Sequence, residues 1–202
     1  KGCANLEKHL ENAKQFGLSA VVAINKFVTD SDEELKVIKD RCTALGVEAV
    51  YSEVWAKGGE GAIELAEKVV ALADKCDKSF NPVYEWNWTV EEKIFAIASK
   101  IYGAKQVEYS GDAKADIKRI QSLNLSHLPI CMAKTQKSLS DNPDLIGRPK
   151  DFTLTVREIE IAAGAGFLVP ITGEMMRMPG LPDIPSAELI NIDADGIISG
   201  LF

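Results

Sequence analysis

Apolar and polar positions along the first eighty residues fall into blocks whose period switches. Leu6, Leu10 and Ala13 recur at helical spacing, which predicts a helix capped by Asn5 and stopped by Gly17. Ala20 to Ile24 is an unbroken apolar run, as in a strand covered on both faces. Asp30 to Asp32 offer caps for a second helix, whose stripe is Leu35, Ile38, Cys42 and Leu45 and whose stop is Gly46. Val47 to Val54 reads as the next strand, and Trp55 to Gly61 as a loop. A third helix follows on Ile63, Ala66, Val69, Val70 and Ala73. Strands alternating with helices of this length predict βαβ units and a parallel sheet.

The pattern breaks at Lys75 to Pro82, and two regions are expected, 1–80 and 81–202. In the second, Thr89 and Glu92 make a capping box ahead of Ile94, Ile97, Ala98 and Ile101, with Gly103 as the stop. Val107 to Tyr109 is a short strand, Ala113 to Leu123 a helix, and Leu128 to Ala133 a buried strand. Thr135 to Lys150 is a polar loop, ordered or mobile. Phe152 to Ile161 and Phe167 to Ile171 are extended. Met178 to Pro182 is a rigid connector, and Asp195-Gly196 marks a hairpin turn. The fold class is therefore α/β: parallel-sheet βαβ units, then a smaller α/β region with a β-rich C-terminus.

Charge narrows the function. The net charge is −7, with 11 Lys/Arg against 14 Asp/Glu in residues 1–80 and 12 against 16 in residues 81–202. No basic half exists to hold a phosphate backbone, so nucleic acid is not an expected partner. No apolar run reaches the ~18–20 residues of a membrane span. Cys3, Cys42, Cys76 and Cys131 stand alone, without a C-x-x-C pair, which fits core residues in a reducing cytoplasm. Neither H-E-x-x-H nor G-x-S-x-G occurs, and His9 and His127 read as surface or packing residues. Asp193 to Gly196 lacks the further ligands of a calcium loop and reads as a turn.

Asn25-Lys26-Phe27-Val28 shares two letters with the guanine-reading N-K-x-D, but Val28 stands where that motif needs Asp. The position still carries meaning, because ligands of open α/β sheets bind beyond the carboxyl ends of the strands. Phe27 and Trp55 follow two successive strands, so two aromatic faces are expected at one crevice mouth, where they clamp a flat heterocycle or else cap the core. Gly58-Gly59-Glu60-Gly61 lies between strand and helix, where a phosphate cradle would be, but matches neither G-x-G-x-x-G nor Walker A; a tight turn is the better reading. No G-x-x-x-x-G-K-[ST] occurs in the chain.

Several longer strings are distinctive: Asn5 to His9, Val22 to Phe27, Trp55 to Gly61, Lys100 to Ala104, Leu128 to Thr135, Met178 to Pro182 and the final Gly200-Leu201-Phe202. Together, in order and across the whole chain, they resemble formate–tetrahydrofolate ligase. The resemblance implies an ATP-dependent ligase of one-carbon metabolism with a P-loop-NTPase-like sheet. Its substrates would be formate, tetrahydrofolate and ATP, with Mg2+ and a monovalent cation as cofactors, and formyl phosphate as the intermediate. It also implies a cytoplasmic homotetramer. Family members are longer than this chain and carry their phosphate loop upstream of the part resembling Lys1. The chain is thus expected to be a C-terminal portion that partners the rest of the same polypeptide and is inactive alone. By resemblance, Phe27 and Trp55 line the site for the folate or nucleotide ring. Asn25, Tyr51, Lys57 and Gly58 are expected around them, with Tyr51 as a pocket wall. Val28 stands where the family often has Pro. The alternative is a stand-alone binding or assembly module without chemistry.

Overall fold

β1 (Val21–Asn25) and β2 (Glu48–Ser52) run parallel, with Val21 opposite Glu48 and Asn25 opposite Ser52. This arrangement comes from a computed structural model, which describes residues 2–75, 80–173 and 183–200. The crossover between the strands is α2 (Asp32–Ala44), opened by a capping box in which Ser31 Oγ accepts from the Glu34 N–H and the Glu34 carboxylate accepts from the Ser31 N–H. Leu35 and Cys42 of α2 are buried against Val22 and Ile24, and Leu6 and Leu10 of α1 (Gly2–Gln15) complete this apolar layer.

β2 ends sooner than its apolar pattern suggests. Glu53 already accepts backbone bonds from Ala56 and Lys57, so the chain turns into α3 (Val54–Lys57), a single turn. A 3-10 turn, Gly58–Ala62, follows, then α4 (Ile63–Lys75). The expected loop at 55–61 is therefore helical backbone. A cavity of about 650 Å³, lined by Leu10, Lys14, Val21, Glu48 and Leu72, opens at the amino ends of β1 and β2. It lies at the opposite pole from the crevice that the strand ends predict.

Asn5 is not a cap. α1 begins at Gly2, and Asn5 Nδ2 donates to Gly147 O at 2.8 Å. The polar side of α1 is docked as firmly as its apolar side. Lys8 Nζ and Gln15 Nε2 donate to Lys100 O at 2.7 and 3.0 Å, and Asn12 Nδ2 donates to Ile101 O at 3.0 Å. Arg148 makes a two-pronged bond to Glu11 at 2.8 and 2.6 Å. Those carbonyls are free for a local reason. α5 (Val90–Ala96), started by the Thr89–Glu92 box as expected, widens into a π-helical stretch at Ile97–Tyr102 before Gly103 stops it at φ +89°. The carbonyls at a helix end need outside donors, and α1 supplies three.

The second sheet has the order β3 (Gln106–Tyr109), β4 (Thr153–Ala162), β5 (Phe167–Thr172), with β3 parallel and β5 antiparallel to β4. α6 (Gly111–Ser122) packs Ala113, Ile117 and Ile120 against Val156, Ile159 and Leu168, with Val90 and Ile94 from α5. The expected strand at Leu128–Ala133 is only two bridges to β5, Ile130 to Leu168 and Ala133 to Ile171. The Cys131 and Ala133 N–H groups donate to Leu168 O and Pro170 O at 2.8 and 2.9 Å, but Pro170 has no N–H to give Cys131 O, which splits the ladder; the Ile130 N–H, on the other side, goes to the Tyr84 hydroxyl at 3.0 Å. Residues 134–148 are an ordered loop: Ser138 Oγ donates to Leu145 O and Ser140 Oγ to Asn142 O. The Asp195-Gly196 turn joins β6 (Asn191–Ile192) to β7 (Ile198–Ser199) as expected, and Asp193 Oδ1 accepts from the Asp195 and Ile197 N–H groups. The connector at 178–182 lies outside the described residues, as does part of the break near 76–79.

The protein is thus mixed α/β, with parallel strand pairs and one mixed sheet.

Candidate functional site: the carboxyl ends of β1 and β2

The two strands end in step, Asn25 beside Ser52, and the Lys26 N–H bonds Ser52 O at 3.0 Å. The chain then leaves each strand by a pinned turn. On the β1 side, the Phe27 N–H donates to Asp30 Oδ2 at 2.8 Å and the Asp30 N–H donates back to Phe27 O at 3.1 Å. This reciprocal clasp fixes the Phe27 backbone. Nothing in the sequence pattern singles out Asp30 for it beyond its place three residues after Phe27, the spacing of a side chain that closes its own turn.

On the β2 side, Glu53 anchors α3. Its N–H donates to Gly61 O at 2.9 Å, and its carboxylate takes the Lys57 ammonium at 2.6 Å. Lys57 lowers the Glu53 pKa by this hydrogen bond, with a weaker push from Lys26. Gly58 sits at φ +60°, ψ −144°, backbone that needs glycine. A Cβ on Gly61 would stand 2.5 Å from the Glu53 carbonyl carbon, so the turn closes only around hydrogen at that position.

These anchors bring Phe27 and Trp55 together. Their ring centroids are 6.1 Å apart and their planes are tilted by 58°. Phe27 is 43% exposed and Trp55 67% exposed, so neither is sealed into the core. Asn25 is exposed at the end of β1, and among the described residues its side chain takes no hydrogen bond. Tyr51 stands apart from the pair: it packs partly against the Val22–Ile24 layer, with the Lys39 ammonium 3.8 Å and the Lys26 ammonium 5.4 Å from its ring centre.

Phe27 and Trp55 offer exposed aromatic faces. A ring inserted between two others needs them near-parallel and about 7–8 Å apart, twice a van der Waals separation. At 6.1 Å and 58° the pair admits a ring only after one of its side chains turns. Gly61 closes the turn against Glu53, whereas Gly58 and Gly59 face open space. Among the described residues no group of three or more His, Cys, Asp or Glu side chains is placed to hold a metal ion, and no helix is long and apolar enough to cross a membrane.

Compared with known families, the sequence matches the model described as Formate–tetrahydrofolate ligase over residues 1–202. That family joins formate to tetrahydrofolate at the expense of ATP. With a match along its whole length, this chain belongs to the formate–tetrahydrofolate ligase family.

Proposed function

We propose that this chain holds the flat ring of tetrahydrofolate or of ATP between Phe27 and Trp55, as part of an enzyme that makes 10-formyltetrahydrofolate through formyl phosphate. The observation that carries this reading is the exposed aromatic pair at the carboxyl ends of two parallel strands, where α/β sheets bind ligands. The sheet is read as P-loop-NTPase-like, with residues 1–80 as the ring-binding region and 81–202 as a second region. The chain carries no Walker A sequence, so the phosphate-handling groups and Mg2+ would belong to another part of the same polypeptide. A monovalent cation and a cytoplasmic setting belong to the same proposal. No step of the chemistry is assigned to residues of this chain; their part is to bind and orient the ring.

The test is affinity and stability on the same variants. Trp55→Ala and Phe27→Ala are expected to weaken ring-ligand binding by ~1–3 kcal/mol, about five- to a hundred-and-fifty-fold. Trp55→Phe should recover much of the loss. Core caps would behave in the opposite way, with ~3–5 kcal/mol of lost stability and unchanged affinity per folded molecule. That result would overturn the reading.

A second observation favours assembly as an added role. α4 leaves Ile63, Val69 and Val70 between 47% and 59% exposed along an amphipathic helix, a face suited to a partner surface. A homotetramer would place such a face in contact. Light scattering on the intact protein and on Val70→Glu tests this, since a monomer in both would remove the role.

A further inference from the structure

Two ammonium groups share one aromatic ring beside the crevice. Lys39, from the middle of α2, stands 3.8 Å from the Tyr51 ring centre, and Lys26, the residue before Phe27, stands 5.4 Å from it. Both lysines and Tyr51 are half-buried. Among the described residues neither ammonium has an ion-pair partner. Of the surrounding carboxylates, Glu53 is engaged by Lys57, Asp40 by Lys36, Asp30 by the Phe27 N–H, Glu34 by Ser31 and Glu48 by Lys68, while Glu64 lines a hollow with Lys39 without forming an ion pair with it. The face of one tyrosine ring attracts a cation, but two cations beside it repel each other, and an anion between them relieves that repulsion. This concentration of unpaired positive charge stands out on a chain of net charge −7. It is also tied to the clamp. Lys26 adjoins Phe27, and its field reaches Glu53, the anchor of the Trp55 turn.

We propose that Lys26 and Lys39, set about Tyr51, form the anion subsite for the acidic substituent of the ring held between Phe27 and Trp55. The chemical class is a carboxylate joined to a flat heterocycle. The glutamate tail of tetrahydrofolate supplies it, the phosphates of ATP falling to another part of the polypeptide. The inference rests on the ring-clamp reading given above and adds which part of the ligand the lysines recognise.

The experiment measures binding to the intact protein that carries this sequence, for wild type, Lys26→Gln, Lys39→Gln and Lys39→Arg. Each ligand is paired with its counterpart lacking the anion: tetrahydrofolate with tetrahydropteroate, and ATP with adenosine. Each Gln variant is expected to lose about three- to tenfold in affinity for tetrahydrofolate while its tail-less counterpart binds as to wild type. Lys39→Arg should restore most of the loss, because it keeps the charge on the ring. Selective loss for tetrahydrofolate identifies the carboxylate tail as the occupant, and selective loss for ATP overturns that assignment. Equal loss for a ligand and its tail-less counterpart means the lysines act only through the fold, and overturns the subsite. No loss for either overturns it as well. If wild type binds the tail-less ligands and Trp55→Ala abolishes that binding, the clamp stands whatever the lysines do. If wild type binds neither tetrahydrofolate nor tetrahydropteroate, the clamp falls and the subsite with it.

Discussion

The closest backbone approach near the site gives the sharpest mutational contrast. Gly61 and Gly59 sit two residues apart in the same turn. A Cβ on Gly61 would lie 2.5 Å from the carbonyl carbon and oxygen of Glu53 and 2.9 Å from the Val54 nitrogen, whereas a Cβ on Gly59 would meet nothing within 4 Å. Neither glycine has a positive φ, so backbone strain does not separate them and sterics alone does. The obstructing atoms are backbone, held by the bond from the Glu53 N–H to Gly61 O, and cannot swing aside as a side chain would. Gly61→Ala should therefore cost about 1–3 kcal/mol, the usual range for overpacking. Gly59→Ala should be neutral or gain about 0.4–1 kcal/mol by restricting the unfolded chain. Urea titrations read by circular dichroism should show the Gly61→Ala midpoint falling by roughly 1 M, with an unchanged slope. Because Glu53 also anchors α3, ring-ligand affinity should fall in Gly61→Ala and hold in Gly59→Ala. A Gly61→Ala midpoint equal to wild type, or an equal fall in both variants, would refute the steric account.

Other outcomes follow from the same geometry. Asp30→Ala should weaken ring-ligand affinity by about 1 kcal/mol through a loosened Phe27, while Asp30→Asn, which keeps an acceptor, should stay near wild type in a titration series. Thr89→Ala removes the hydroxyl side of a capping box and leaves the backbone N–H bond to Glu92, so its thermal or urea midpoint should show a loss of about 1 kcal/mol. Stability should also fall in acid. Arg41 lowers the pKa of Glu7, and Thr89 lowers that of Glu92, so their contribution is complete above the ordinary carboxylate range and vanishes as pH falls through the depressed values. Urea midpoints between neutral pH and pH 3 check this, and Glu7→Gln should flatten part of the slope.

The features legible in the sequence are those that short-range rules govern. The Thr89–Glu92 box, the Gly103 stop and the Asp195-Gly196 turn each need only residues within a few positions, and each stands where the pattern puts it. The approach of Phe27 and Trp55 was readable because parallel strands that start together also end together. What depended on distant partners was not readable. Asn5 looks like a cap because its partner, Gly147, is 142 residues away. Lys8 and Asn12 look like solvent-facing residues because the π-helical carbonyls they meet leave no mark in the hydrophobic period. Leu128–Ala133 has the composition of a strand and does pair with β5, but Pro170 across from it has no N–H for Cys131 O and splits the ladder into two bridges. Asp30 reads as one of three candidate caps, but Ser31 takes that role and Asp30 clasps the Phe27 turn, which alters no periodicity.

The doubly docked helix α1 also bears on the order in which the chain acquires structure. Its bonds to Lys100, Ile101 and Gly147 close loops of 85 to 142 residues, among the longest-range polar contacts in the molecule. Synthesis runs from the N-terminus at ~5–20 residues per second, so Gly147 leaves the ribosome some ~7–28 s after Asn5. During that interval β1, α2 and β2 can form, but the polar side of α1 has nothing to bind. Contacts of such high order slow folding and leave the early segment open to wrong partners. Within this stretch of chain, α1 is therefore made well before the carbonyls that dock its polar side.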